Sequence, residues 1–317
     1  MRGDTDSDHE RVAAVGTALG FESVREWSPP LGQADYRPRI DVLWAQRLSP
    51  AQSAALETVG ANVWRDGALP IAAWEIEGSD VSTKGMAADL ANLRISQAPY
   101  GFLAVRGGTK DNLYERALCV ARTQRHYFGC QAAVPLDTRW LSELSTRPLS
   151  NERAADAGKP ARGGGGEGAW TDKVRDVLRE RGASAGFGVT DSFRSLLPRE
   201  DGFTQHQIDL VWTLPMPKGL RTFVEGIGEQ DHRLESSHLI VGPRYQRVAV
   251  AAFEIENSPG KHGFGGLLTL ASHGMRGVFV AGDRASATNA AAALSTYRRF
   301  MGLAHVVVFN GLVRQGT

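Results

Sequence analysis

Apolar positions along the chain repeat with the two periods that distinguish strand from helix. In Ala72-Ala73-Trp74-Glu75-Ile76-Glu77-Gly78-Ser79 an apolar strand carries two carboxylates two residues apart. Successive strand side chains point to opposite faces, so Glu75 and Glu77 share one face while Ala72, Trp74 and Ile76 take the other. The pattern returns in Ala251-Ala252-Phe253-Glu254-Ile255-Glu256-Asn257-Ser258. Lys84 follows the first stretch and Lys261 the second. Two carboxylates on an apolar strand repel, and burying them unpaired is costly, so something positive is expected between them.

Around the first acidic strand the periodicity predicts a helix over 10–19, stopped by Gly20, then strands over 21–27 and 39–44. A helix over 50–59, the acidic strand over 71–77 and a helix over 84–95 follow, the last with Met86, Leu90 and Leu93 on one side. A short buried strand over 101–105, a helix over 112–127 and a strand over 132–136 complete the set. The order then restarts, with a helix over 171–181 and strands over 186–193, 207–212 and 247–256. A helix over 261–273, a strand over 277–281, a helix over 285–300 and a strand over 305–309 close the chain. A repeat this long and ordered indicates two copies of one unit. Between them, 144–168 has few large apolar residues and includes Gly163 to Gly166, so it reads as a flexible linker. The expected domains are 1–143 and 169–317; the sequence leaves the oligomeric state open, and a monomer with a pseudo-two-fold repeat is compatible with it.

The copies differ. The interval from Asp209 to Glu254 is longer than that from Asp41 to Glu75, and the extra segment lies within 215–246. Copy one has Asp89 and Asn92 on the helix after its acidic strand, where copy two has Leu268, Thr269 and Leu270. Asp89 reads as a solvated or helix-end residue and Asn92 as a locally bonded one. The acidic start, with Asp4, Asp6, Asp8 and Glu10, reads as a frayed solvated end.

Composition changes little. The 317 residues are 42% hydrophobic and 22% charged with a formal net charge of +1, ordinary for a globular chain and neutral towards nucleic acid. Two cysteines, Cys119 and Cys130, set no disulfide framework and cannot alone make a four-ligand zinc site. With no signal-peptide pattern and no apolar run near the length of about 18 residues that a spanning helix needs, a cytoplasmic protein without membrane contact is expected.

Chemistry enters with Asp41, which lies on the strand of 39–44 and would face Glu75 across the sheet, as Asp209 would face Glu254. Such hard carboxylate oxygens, with the carbonyl of Ile76 or Ile255 and water, suit Mg²⁺ or Mn²⁺. Glu77 and Glu256 offer a second ligand or a proton acceptor, and Lys84 and Lys261 a cation for charge developing on phosphorus.

The series Asp41, Glu75, Glu77, Lys84, repeated as Asp209, Glu254, Glu256, Lys261, resembles the restriction-endonuclease-like superfamily and its Asp…(Asp/Glu)-x-Lys signature. The chain departs from it by placing Glu77 and Glu256 where the lysine usually stands, as some restriction endonucleases do; others carry the lysine on the next helix, where Lys84 and Lys261 fall. The Glu-x-Glu-x-Ser strand, helix lysine and Asn-Leu pair also look like a group of bacterial nuclease-like proteins. The resemblance implies an α/β fold of two tandem αβββαβ domains, each a mixed sheet flanked by helices. It also implies a metal-dependent DNA endonuclease, of restriction or defence type, with catalytic residues Asp41, Glu75, Glu77, Lys84, Asp209, Glu254, Glu256 and Lys261. The six carboxylates would be the metal ligands, and each site would cut one strand. The alternative is a nuclease fold without catalysis that binds nucleic acid or regulates a partner.

Overall fold

The computed structural model describes residues 2–29, 38–59, 67–78, 80–96, 98–106, 112–128, 133–146, 168–194, 207–215, 217–236, 239, 247–256, 276–301 and 305–309. The acidic strand of copy one, β3 (Ala68–Glu77), is the middle strand of a five-stranded mixed sheet. On one side of it lies β2 (Ile40–Arg47), antiparallel to it, and beyond that β1 (Glu22–Trp27), antiparallel to β2; on the other lie β4 (Tyr100–Val105) and β5 (Ala133–Asp137), both parallel. A central strand is covered on both faces, and β3 is buried from Leu69 to Ile76. The parallel connections pass through α3 (Thr83–Ile95) and α4 (Leu113–Phe128), as same-sense strands require a crossover.

The acidic strand of copy two, β8 (Arg247–Glu256), is likewise central. It lies between antiparallel β7 (Gln207–Pro215) and parallel β9 (Arg276–Ala281), with β6 (Gly188–Arg194) and β10 (His305–Val308) at the edges. The chain is therefore α/β with two mixed sheets flanked by helices, and no helix among the described residues is long and apolar enough to cross a membrane.

Each copy opens with a helix fixed to its sheet in the same way. α1 (Arg2–Ala18) receives the indole N–H of Trp44 on the carbonyl of Val12 at 3.1 Å, and α6 (Ala169–Ser184) receives that of Trp212 on Leu178 at 3.1 Å. Both tryptophans are fully buried, so these bonds meet a donor that would otherwise cost free energy. The close approach requires glycine. A Cβ on Gly16 would stand 2.3 Å from Trp44 Nε1, and one on Gly182 would stand 2.4 Å from Trp212 Nε1. Both helices end on a glycine with positive φ, Gly20 at 90° and Gly186 at 85°, the left-handed cap that L side chains resist.

α1 begins well before the predicted helix at 10–19, because its acidic first turns are not a frayed end. Asp8 is 3% exposed and accepts from Arg106 Nη2 at 2.8 Å and Arg11 Nη1 at 3.3 Å. A buried carboxylate with two guanidinium partners anchors the helix instead of fraying.

The compact units are not the two contiguous halves 1–143 and 169–317. Unit 1 comprises Met1–Arg47, Trp64–Ala154 and Met216–Gln246; unit 2 comprises Leu48–Val63, Ala155–Pro215 and Arg247–Thr317. The extra segment of copy two thus belongs to unit 1 as α7 (Lys218–Gln230) and α8 (Arg233–Ser236). Fully buried Phe223 of α7 enters the aromatic core of unit 1, with ring centroids 5.4 Å from Trp44, 5.8 Å from Trp74 and 6.0 Å from Phe102. The Tyr114 hydroxyl donates to Asp231 Oδ2 at 2.9 Å, and Arg233 makes a two-toothed pair with Glu115 at 2.7 Å. In return α2 (Pro50–Thr58), started by a capping box of Ser49 and Gln52, belongs to unit 2. Most of the expected linker, residues 147–167, and the expected helix over 261–273 lie outside the described residues.

Candidate active site

Strand register brings the predicted carboxylates together. Val42 pairs with Trp74, and the next step places Asp41 opposite Glu75. Asp41 Oδ2 accepts from the backbone N–H of Ile76 at 2.8 Å, which ties the carboxylate to the acidic strand. Copy two repeats the bond: Asp209 Oδ2 accepts from the N–H of Ile255 at 2.8 Å. Ile76 and Ile255, expected to contribute carbonyls, each contribute an N–H to hold the aspartate.

Two more polar side chains join in unit 1. Asp89 and Asn92 are three residues apart on α3 and share a helix face. Asn92 bonds the Glu75 carboxyl, and Glu77 donates a hydrogen bond to Asp89. Their reading as solvated and locally bonded residues is thereby corrected. They flank the stripe of Met86, Leu90 and Leu93 that seats α3, so the helix carries them to the sheet.

Four carboxyls gathered where water is scarce cannot all ionise. Burial, followed by the charges of Asp41 and Asp89, pushes Glu75 up to about 9. Burial and the bond to Asp89 push Glu77 up to about 8. Asp89 is raised as well, first by burial. At neutral pH the metal-free cluster keeps protons that ordinary carboxyls shed. Oε1 of Glu75 and Oδ2 of Asp89 are nonetheless buried with no hydrogen-bond partner.

A cation would resolve that cost, and hard oxygen donors of this kind are the set that Mg²⁺ or Mn²⁺ takes. Among the described residues no three His, Cys, Asp or Glu side chains form a preassembled metal cage. Asp41 is engaged by the Ile76 N–H, and Glu77 shares a proton with Asp89. The residues fit a hard divalent ion by donor chemistry and by their unshared oxygens.

The first helix of each copy supplies a further residue. His9 Nε2 lies 3.6 Å from Asp41 Oδ2, and Arg175 Nη2 lies 3.6 Å from Asp209 Oδ1. His9 precedes Val12 by three positions and Arg175 precedes Leu178 by three, so the pair is equivalent by the tryptophan bonds above. Sequence reasoning missed both, although each lies one turn before a residue of the buried stripe. In copy two, Glu254 is pushed up to about 9 by burial and by Asp209, to which it donates a hydrogen bond.

Lys84 does not join the cluster. It is exposed on the first turn of α3, and at 3.6 residues per turn it stands about 140° around the helix from Asp89. Lys261 lies outside the described residues. Trp44 and Trp212 are fully buried core residues. The chain matches no family model, no curated protein and no solved structure in comparisons with known proteins.

Proposed function

We propose that the chain is a divalent-metal-dependent DNA endonuclease of the restriction-endonuclease-like kind, hydrolysing phosphodiester bonds at the cluster of Asp41, Glu75, Glu77 and Asp89. One observation carries the reading: buried Glu75 Oε1 and Asp89 Oδ2 have no hydrogen-bond partner, amid carboxyls kept protonated by burial and by one another. A cluster serving only to hold the fold would leave a large cost unrelieved.

Asp41, Glu75 and Asp89 would hold Mg²⁺ or Mn²⁺, which when bound supplies positive charge at a phosphodiester and lowers the pKa of water. The Ile76 N–H fixes Asp41, and Asn92 fixes Glu75. Glu77, at the end of β3 and less buried than Glu75, would lose its proton as the cluster is neutralised and accept one from the attacking water. Lys84, exposed beyond the strand end, would meet a substrate phosphate at the rim. The Asp…Glu-x-Glu series and its resemblance to nucleases support DNA as the substrate.

Supercoiled plasmid tests the reading. Pure protein should nick or linearise it with Mg²⁺ or Mn²⁺, and chelator should stop the reaction. Glu75→Gln should lower the rate by at least about 100-fold, the scale of losing a group that acts in the transition state. Cutting that survives both chelator and Glu75→Gln would dismiss the assignment.

A further inference from the structure

The first helices of the two copies differ at the one position that faces the strand-two aspartate. In unit 1 the first helix presents an imidazole to the strand-two aspartate; in unit 2 it presents a guanidinium at the same 3.6 Å. The Arg175 side chain is 13% exposed and that of His9 15%, so both lie inside the fold at the cluster. Their chemistry is opposed. An imidazole nitrogen has a lone pair that a metal can share, whereas a guanidinium has none and does not lose its charge in proteins.

Carboxylate count separates the copies independently. Copy one gathers Asp41, Glu75, Glu77 and Asp89. In copy two the sequence from Asn257 to Gly282 contains no Asp or Glu, while it does contain Lys261 and His262. No equivalent of Asp89 can come from that segment. Among the described residues the copy-two strands carry Asp209, Glu254 and Glu256 beside a permanent cation, Arg175, which also pairs with Asp172 Oδ1 at 3.4 Å.

We propose that only the copy-one cluster takes the divalent ion and that in copy two the Arg175 guanidinium fills the role of that ion. One cation is then built into the fold and the other is recruited from solution. Like charges a few ångströms apart in a poorly solvated site repel strongly, so Arg175 excludes a second ion. In copy two the guanidinium and the Ile255 N–H pair with Asp209, and Asp209 accepts from Glu254, whose other oxygen, Oε1, is buried without a hydrogen-bond partner and faces a cluster that already holds a cation. Hydrolysis then occurs at one site per chain, and a double-strand cut needs either two encounters or two chains.

The assignment rests on the metal-dependent reading above, and counting bound ions separates the two. Mn²⁺ titrated into the full chain and followed by electron paramagnetic resonance should show one ion per chain. Glu75→Gln should weaken that ion at least about tenfold, and Glu254→Gln should leave it in place. His9→Arg should remove it as well, by installing the copy-two arrangement in copy one. Arg175→His should add a second, weaker ion. Two ions in the wild-type chain, or a single ion lost with Glu254→Gln and kept with Glu75→Gln, would overturn the assignment while leaving a metal-dependent enzyme standing. A count that stays at one in folded Arg175→His would overturn the part given to the guanidinium. No ion at all in the wild type would overturn the metal reading itself.

Discussion

At the residue scale, the chemistry of the site is a set of carboxyls held protonated. Glu75 stands near 9 and Glu77 near 8, against an ordinary value of 4.5 for each. In the metal-free chain the folded state therefore binds protons that the unfolded state has released. The stability these groups contribute is complete below the unfolded value and is lost as pH rises through the folded values. In chelator the melting temperature should fall between about pH 4.5 and 9, with Glu254, raised from 4.5 to about 9, adding in the same direction. Glu75→Gln, which cannot ionise, should flatten the slope and raise the melting temperature near pH 8.5 by about 2–4 °C for each kcal/mol relieved. Added Mn²⁺ should stabilise more as pH rises, because the ion favours the ionised cluster. Scanning fluorimetry across pH with and without chelator reads all three, and a slope unchanged in Glu75→Gln would show that this carboxyl does not titrate with folding. A second residue-scale constraint is steric. Gly16→Ala and Gly182→Ala would each drive a methyl against an indole N–H, at 2.3 and 2.4 Å. Urea unfolding should show each variant losing about 1–3 kcal/mol, the range for overpacking a core. A neutral result at either glycine would mean that helix and sheet separate there at little cost.

At the element scale, the strands were legible because their composition leaves little choice. β3 and β8 are near-continuous apolar runs that belong in the centre of a sheet, and their glutamates name the strand-two aspartates as partners across it. The start of α1 was hidden because Arg2 to His9 contains no large apolar residue, so no period exists to read. What seats it is the Asp8–Arg106 pair, a contact between residues far apart in sequence. Asp89 and Asn92 were visible as residues but not as partners, since an exposed polar pair and one facing a carboxylate cluster look alike at helical spacing. The inserted segment carries a clear apolar stripe of Leu220, Phe223, Val224 and Ile227, the spacing of an amphipathic helix. The stripe says that α7 must bury one face; it does not say against which sheet. The structure gives that face to Trp44, Trp74 and Phe102 of copy one. Phe223→Ala should accordingly cost about 3–5 kcal/mol, the usual range for emptying a large core site, and the loss should fall on unit 1. Hydrogen exchange should show faster labelling of β2, β3 and β4, with β7, β8 and β9 little changed. The reverse pattern would place α7 in the wrong core.

At the scale of the whole molecule, the helix exchange changes what the linker does. A chain of two independent halves would come apart once 147–167 is cut. Here the amino-terminal fragment would hold most of unit 1 together with Leu48–Val63, which belongs to unit 2. The carboxy-terminal fragment would hold most of unit 2 together with Met216–Gln246, which belongs to unit 1. Each unit is then assembled from both fragments and keeps a hydrophobic stake in their association. In unit 1 this is the buried Phe223 with its three aromatic neighbours, together with the Tyr114–Asp231 bond and the Arg233–Glu115 pair. In unit 2 it is α2, whose Ala55 and Leu56 are buried. The low-apolar stretch should still be cut first by brief proteolysis, because its sequence offers few large apolar residues to bury. The denatured digest should run as two bands, whereas the native digest should elute from gel filtration at the volume of the uncut chain. Phe223→Ala should weaken that association. Adding denaturant should separate the fragments only at the concentration where unit 1 or unit 2 unfolds, since parting them requires opening a core. Two fragments that separate in native buffer, each folded and stable alone, would show that α2 and α7 complete the halves from which they come and that the exchange is not how the chain folds.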